Sequence, residues 1–416
     1  MRAWMLLALA VGGPALAQES DEAALALADR TQTQAAAVHT CVEYAEGAVS
    51  DTTYSDGAAS ASGGRSSFAI RCDAALGSDW RAVVSDRFDD FYARGDSAQA
   101  VNTLKEAYLS FRDGGTQIVD FGRINVREGV GFAYNPTDYF RADAVRAVIS
   151  IDPGTLRDER MGTLMARSQT LWSSGSLTAI VAPRIDASPN DSTLNPDFGA
   201  TNDRSRWLVV ASQRLGQDLQ PQLSLTGAEH QSPQAGFDLT YLLNQATVAY
   251  AEWSGGRSPS NLHASGYPAL ATDTAFRSRL STGLTYTTAS ELSLTLEFEY
   301  DGAAPDALGW AALRTGPIPP YVQYRLYAGA QGELAARQNW FAYAHWDDVV
   351  IAHLGLTTFV RYDPYDHSRV SWSEIRYQGA HAGAALQWQR NAGTATSDQA
   401  PWPVRQTWLA LIDYYF

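Results

Sequence analysis

Between residues 291 and 300 the chain reads ELSLTLEFEY. Leu292, Leu294, Leu296, Phe298 and Tyr300 alternate without a break with Glu291, Ser293, Thr295, Glu297 and Glu299. Such a period of two places successive side chains on opposite faces of a strand. One face is wholly apolar and the other carries ionisable groups. The same division recurs in FDLTYLL (237–243), RLSTGLTYT (279–287), HLGLTTFVRYD (353–363) and HAGAALQWQ (381–389). Repeated over many segments, it leaves two all-β architectures. In a sandwich the polar face meets bulk water. In a closed transmembrane barrel the apolar face meets lipid and the polar face an aqueous lumen.

The connections separate these two. Short ones fall at 112–115, 173–175, 216–219, 244–246, 289–290 and 347–350, and long ones at 124–160, 186–204, 257–275, 301–338 and 391–404. Short turns at one end and long loops at the other are the habit of outer-membrane barrels. Counting back from Phe416 gives about 16 strands to Trp80, and a first hairpin from VHTCVEYA and SFAIRCDAAL brings the number to about 18. Both counts are even, so both chain ends lie on the short-turn side. The expected fold is therefore an all-β, antiparallel, up-and-down transmembrane barrel of about 18 strands, with 16 as the alternative. Its long loops carry short helices: 140–148, with Phe140, Ala144 and Val148 four apart, and the segment after Pro319 and Pro320, with Val322 and Leu326 four apart. EWSGGRS (252–258) predicts a tight bend where a strand meets a loop.

Composition agrees with a membrane barrel. Charged residues are only 18% of the chain, while Tyr (20) and Trp (12) are plentiful. The net charge of −14 argues against nucleic acid, which needs a basic footprint. The N-terminus, with Arg2, an apolar run and Ala15-Leu16-Ala17, predicts a secretory signal over residues 1–17. A short periplasmic segment (18–36) and a single barrel (37–416) follow. Beyond residue 17 no apolar run reaches the ~20 residues of a spanning helix. Cys41 and Cys72 are the only cysteines, and an exported compartment permits them to bond. Simple alternation, however, places Cys41 with His39 and Glu43 but Cys72 with Phe68 and Ile70, so sharing a face requires a bulge or a hairpin outside the wall. At the other end, Trp408, Ala410, Ile412, Tyr414 and the terminal Phe416 form one apolar, aromatic row. Trp408, Ile412, Tyr414 and Phe416 are similar to the signal by which barrel-assembly machinery recognises its clients.

The stretch from Asn102 to Arg146 contains Glu106-Ala107-Tyr108-Leu109, Phe121-Gly122-Arg123, the glycines at 129 and 131, and Asn135-Pro136-Thr137-Asp138-Tyr139-Phe140. It resembles a family of porin-like outer-membrane barrels related in pattern to the alginate-export barrels. RQNWFAYAHWDD (337–348) and LGLTTFVRYD (354–363) look like that family's closing strands. The resemblance implies a channel or exporter in the outer membrane of a Gram-negative bacterium. It carries over no substrate and no catalytic residue.

Charge collects around the loop 124–160, in Arg123, Arg127, Glu128, Asp138, Arg141 and Arg146, with Asn135 opening a turn before Pro136. GVGFAYNPTDYF (129–140) is too apolar to sit in water. The loop is expected to fold inward and narrow the lumen, with these residues at the constriction. Arg279, Glu297, Glu299, Arg361 and Asp363 fall on lumen faces, where their mixed signs predict a polar interior with no strong preference for ions of one sign. No zincin, Walker or nucleophile-elbow pattern occurs, the seven His lack metal spacing, and His345 and His353 have no neighbouring Ser nucleophile. The expectation is a channel with no cofactor and no catalysis, whose partners are the lipid bilayer, the assembly machinery and an unidentified solute. An adhesion barrel or an outer-membrane lipid hydrolase are the alternatives.

Overall fold

A computed structural model describes residues 40–54, 60–93, 98–267, 273–400 and 403–416. The segments read as a signal peptide and periplasmic leader lie outside these residues. Eighteen strands follow one another around a single sheet. The first nine are β1 (Thr40–Tyr54), β2 (Ser60–Ala75), β3 (Trp80–Ala93), β4 (Gln99–Asp113), β5 (Gln117–Ile124), β6 (Thr163–Trp172), β7 (Gly175–Ala182), β8 (Arg206–Gln213) and β9 (Leu219–Ala228). The second nine are β10 (Gln234–Asn244), β11 (Thr247–Ser258), β12 (Ala275–Thr287), β13 (Leu292–Asp301), β14 (Gln338–Trp346), β15 (Leu354–Tyr362), β16 (Arg369–Gln378), β17 (Ala382–Ala392) and β18 (Val404–Tyr415). Every strand pairs antiparallel with its sequence neighbours, and β18 closes on β1 in a register that sets Tyr44 against Tyr415 and Thr52 against Thr407. Closure leaves no free edge, the condition for crossing hydrocarbon with strands.

The period of two becomes an inside and an outside. On β13, Thr295, Glu297, Glu299 and Asp301 are buried inward, while Leu294 and Leu296 stand exposed on the outer wall. Aromatic side chains are exposed at both rims of that wall. Trp80, Trp172, Tyr241, Tyr286, Tyr377 and Tyr414 lie towards the short turns, and Tyr92, Trp207 and Phe276 towards the long loops. This is the girdle arrangement of a transmembrane barrel. The row predicted at the C-terminus is exposed too: Trp408, Ile412, Tyr414 and Phe416 all face outward from β18 and its end.

Four expectations need correction. The segment 140–148 forms successive turns and no helix; the helix of that loop is Pro153–Asp158, capped by Asp152. In contrast, loop 302–337 carries two helices, Ala307–Thr315 and Ile318–Gln331. EWSGGRS makes no bend, because β11 runs through it with Gly255 and Gly256 paired on both sides. The long-loop end is also less regular than the spacing suggested, since 229–233 and 363–368 are as short as turns at the opposite end. Finally, no bulge is needed for the cysteines. Cys41 pairs directly with Cys72 in the β1–β2 ladder and the two are bonded. Odd positions of β1 face outward, so Glu43 lies exposed on the outer face at the short-turn rim, where polar side chains reach water.

Candidate functional site

Loop 125–162 turns into the barrel because its backbone finds acceptors there. Two wall carboxylates, each fully buried, face inward from β11 and β13. Glu252 Oε2 accepts from the amides of Val130 (2.9 Å) and Gly131 (2.7 Å), and Oε1 accepts from the Thr137 amide (2.7 Å) and hydroxyl (2.9 Å). Glu297 takes the next three amides in line, Phe132, Ala133 (3.1 Å) and Tyr134 (3.0 Å), and accepts the Tyr250 hydroxyl at 2.6 Å. Consecutive amides wrapped around a carboxylate form an anion-binding nest, here with the anion supplied by the wall. Gly129 lets the chain approach. Its φ is +92°, and a Cβ there would come within 2.6 Å of Glu252 Oε1. Apolar packing completes the contact, with Phe132 and Ile151 against Phe341, Phe359 and Trp372 of the inner wall.

The residues singled out at this loop take distinct places. Arg123 is buried, with Nε donating to the Gly162 carbonyl (2.8 Å) and further bonds to the Pro196 carbonyl and the Thr201 hydroxyl (3.2 Å), so it ties loop 125–162 to loop 183–205. Arg146 spans the same two loops through the carbonyls of Asn195 and Ser192. Asp138 is buried against Arg160 at 2.9 Å. Asn135 donates to the Gly131 carbonyl (2.5 Å) and lies 3.3 Å from Glu252. Arg141 pairs with Glu333 of loop 302–337 at 2.8 Å. Glu128 accepts from Gln222 (3.0 Å), and burial raises its carboxyl above the usual range. Of the seven, Arg127, which pairs with Asp158, borders the open space.

The wall residues are likewise partnered. Arg279 lies 3.3 Å from Asp301 and 3.2 Å from Glu333. Arg361 bridges Glu299 (2.8 Å) and the Ala133 carbonyl (3.1 Å). Asp363 caps the turn 363–368 by accepting from the Tyr365 amide (2.6 Å); burial and repulsion from Asp398 and Asp366 push it up to about 7.

The open space lies on the other side of the loop, between its 149–159 segment and the inner faces of β1–β4 and β14–β18. Its volume is about 590 Å³. Six cations line it, Arg65, Arg71, Arg87, Lys105, Arg127 and Arg376, with six carboxylates, Glu46, Glu106, Asp152, Asp158, Glu159 and Glu374. They pair: Arg65 with Glu46, Arg71 with Glu106 (2.7 Å), Lys105 with Glu159 (3.0 Å) and Arg376 with Glu374 (2.9 Å). Arg87 adds Asp89 at 2.9 Å, and burial raises the Asp152 carboxyl. Tyr44 and Tyr415, with ring centroids 5.0 Å apart, face inward at the short-turn rim. His345 borders this space between the Thr357 hydroxyl (2.8 Å) and Asp347 (3.2 Å).

The reading from sequence alone missed Glu252, Glu333 and the charged pairs of β1–β4. A signal existed: Arg65, Arg71, Arg81 and Arg87 occupy same-parity positions on β2 and β3, the parity that the closed sheet turns inward. Their partners lie on other strands or in loops, which spacing along the chain does not reveal.

No protein-family model and no curated protein matches this sequence. Solved structures do. OccK2 (OpdF) of Pseudomonas aeruginosa, solved in complex with glucuronate, matches with a TM-score of 0.56 at 11% identity, over 91% of this chain and 98% of that one. OccK7 (OpdD) of the same organism matches with 0.55 at 11% identity, over 92% and 99%. OccK11 (OpdR) matches with 0.54 at 11% identity, over 91% and 96%. The likeness is one of fold: along nearly its whole described length this chain is built as these barrels are.

Proposed function

We propose that the protein is an outer-membrane channel of a Gram-negative bacterium that passes small hydrophilic solutes. The observation that carries this reading is the pairing of an apolar, aromatic-rimmed outer wall with a charged interior cavity in one closed barrel. Loop 125–162, held by Glu252 and Glu297, narrows the passage and leaves the route along β1–β4. Solutes then pass between paired charges of both signs. Residues 1–17 serve as the export signal, 18–36 as a short periplasmic segment, and the exposed row ending at Phe416 as the assembly signal. Kinship with the alginate-export barrels rests on the NPTDYF segment and its surroundings.

Single-channel recording in planar bilayers tests both parts. The intact protein should conduct, and a variant lacking residues 129–141 should conduct several-fold more. A silent bilayer would refute the channel. Equal currents from the two proteins would refute the narrowing. An adhesion barrel predicts a sealed interior, and a lipid hydrolase predicts ester cleavage without current.

A further inference from the structure

Loop 125–162 is held at a second place besides its wall carboxylates, and Tyr134 reaches both, its amide donating to Glu297 and its hydroxyl to Glu333. Glu333 follows the helix Ile318–Gln331, directly after its left-handed cap Gly332. One oxygen lies 2.8 Å from Arg141 Nη2 and 3.2 Å from Arg279 Nε. The other accepts the Tyr134 hydroxyl at 2.8 Å. Tyr134 and Arg141 belong to the inward segment, Arg279 to the wall and Glu333 to the loop at the barrel's outer end. The backbone repeats the link, since the Asp143 amide donates to the Ala330 carbonyl (2.7 Å) and Gln331 Nε2 to the Asp143 carboxylate (2.9 Å).

We propose that Glu333 is a positioning residue for the constriction: it latches the inward segment of loop 125–162 to loop 302–337, so that the width of the passage is set from the outer surface. This rests on the reading that loop 125–162 narrows the pore. Arg141 and Arg279 have side chains only 13% and 10% exposed. A buried cation deprived of its carboxylate is strongly unfavourable, so losing Glu333 moves the segment that carries Arg141 towards water. Burial raises the Glu333 carboxyl, but Arg141 and Arg279 outweigh it and hold it below the usual range, so the latch is charged at neutral pH.

The test compares single-channel currents, first of the intact chain, Glu333→Ala, a variant lacking 129–141, and Glu333→Ala in that deletion. Glu333→Ala should raise the current severalfold towards the deletion's level and change nothing in the deletion background. Arg141→Gln breaks the same pair from the loop side and should give the same rise; it serves if Glu333→Ala does not fold. Asp398→Asn, which weakens the pairing of Arg325 with residue 398, should leave the current unchanged. If the deletion raises the current while Glu333→Ala and Arg141→Gln do not, the latch is refuted and the constriction stands. A rise with Glu333→Ala in the deletion background, or an equal rise with Asp398→Asn, also refutes it. If the deletion itself leaves the current unchanged, the constriction falls and takes the latch with it.

Discussion

A carboxylate on the inner wall of a barrel is costly to bury unless donors surround it. Glu252 meets this condition with three backbone amides and one hydroxyl, all from a single loop. The arrangement works in both directions: the donors replace the water that the buried carboxylate has lost, and the loop is held. Hydrogen bonds to a charged acceptor contribute about 1.5–3 kcal/mol each. Glu252→Ala should therefore weaken local protection on the order of 2–3 kcal/mol. The amides of Val130, Gly131 and Thr137 should exchange with deuterium about 30- to 140-fold faster, since each 1.4 kcal/mol is tenfold. Unchanged protection would show that the loop is held by other contacts. The sequence made the inward face of Glu297 legible, because it sits in unbroken alternation. It did not show the role of Glu252, because a carboxylate bound by a distant loop looks the same in sequence as one facing water.

At the scale of elements, short turns and long loops set the strand order, and the ladders follow it. The loops themselves were only partly legible. Helix formers after two prolines predicted the helix Ile318–Gln331. The same spacing misled at 140–148, where Phe140 packs beneath Arg206 and Asp143 has a left-handed backbone. Tertiary contacts there override a helical pattern. The turn 363–368 should respond to pH. Asp363, raised to about 7, is faced by Asp398 and Asp366. An unfolded Asp titrates near 3.9, so folding favours the protonated form. The turn is then most stable at low pH and loses stability as pH rises from about 4 to about 7. Asp363→Asn should raise the unfolding temperature in detergent at pH 8 and have a smaller effect at pH 5. An equal effect at both pH values would contradict this. The Cys41–Cys72 bond joins β1 and β2 at the short-turn rim, 31 residues apart in sequence. Replacing both with Ser should lower the unfolding temperature and leave the current unaltered, since both side chains face away from the lumen; entropy alone assigns a loop of this size about 3–4 kcal/mol. A changed current would place the rim in the conduction path.

For the whole molecule, the fold follows from one repeated choice, apolar against polar at every second residue, closed into a ring. Composition and alternation suffice for that much. The selectivity of the interior follows from pairing. With six cations set among six carboxylates, the passage should discriminate weakly between small cations and anions. Reversal potentials under a salt gradient should lie near zero, and a strongly ion-selective potential would mean that one sign goes unpaired. The most direct test of the central claim uses two adjacent residues of β17. Leu386 is exposed on the outer wall, and Gln387 borders the interior cavity. In bilayer-reconstituted protein, Gln387→Cys should react with a small hydrophilic thiol reagent and lose current, whereas Leu386→Cys should stay unlabelled. Labelling of both, or of Leu386→Cys alone, would contradict a barrel with hydrocarbon outside and water within.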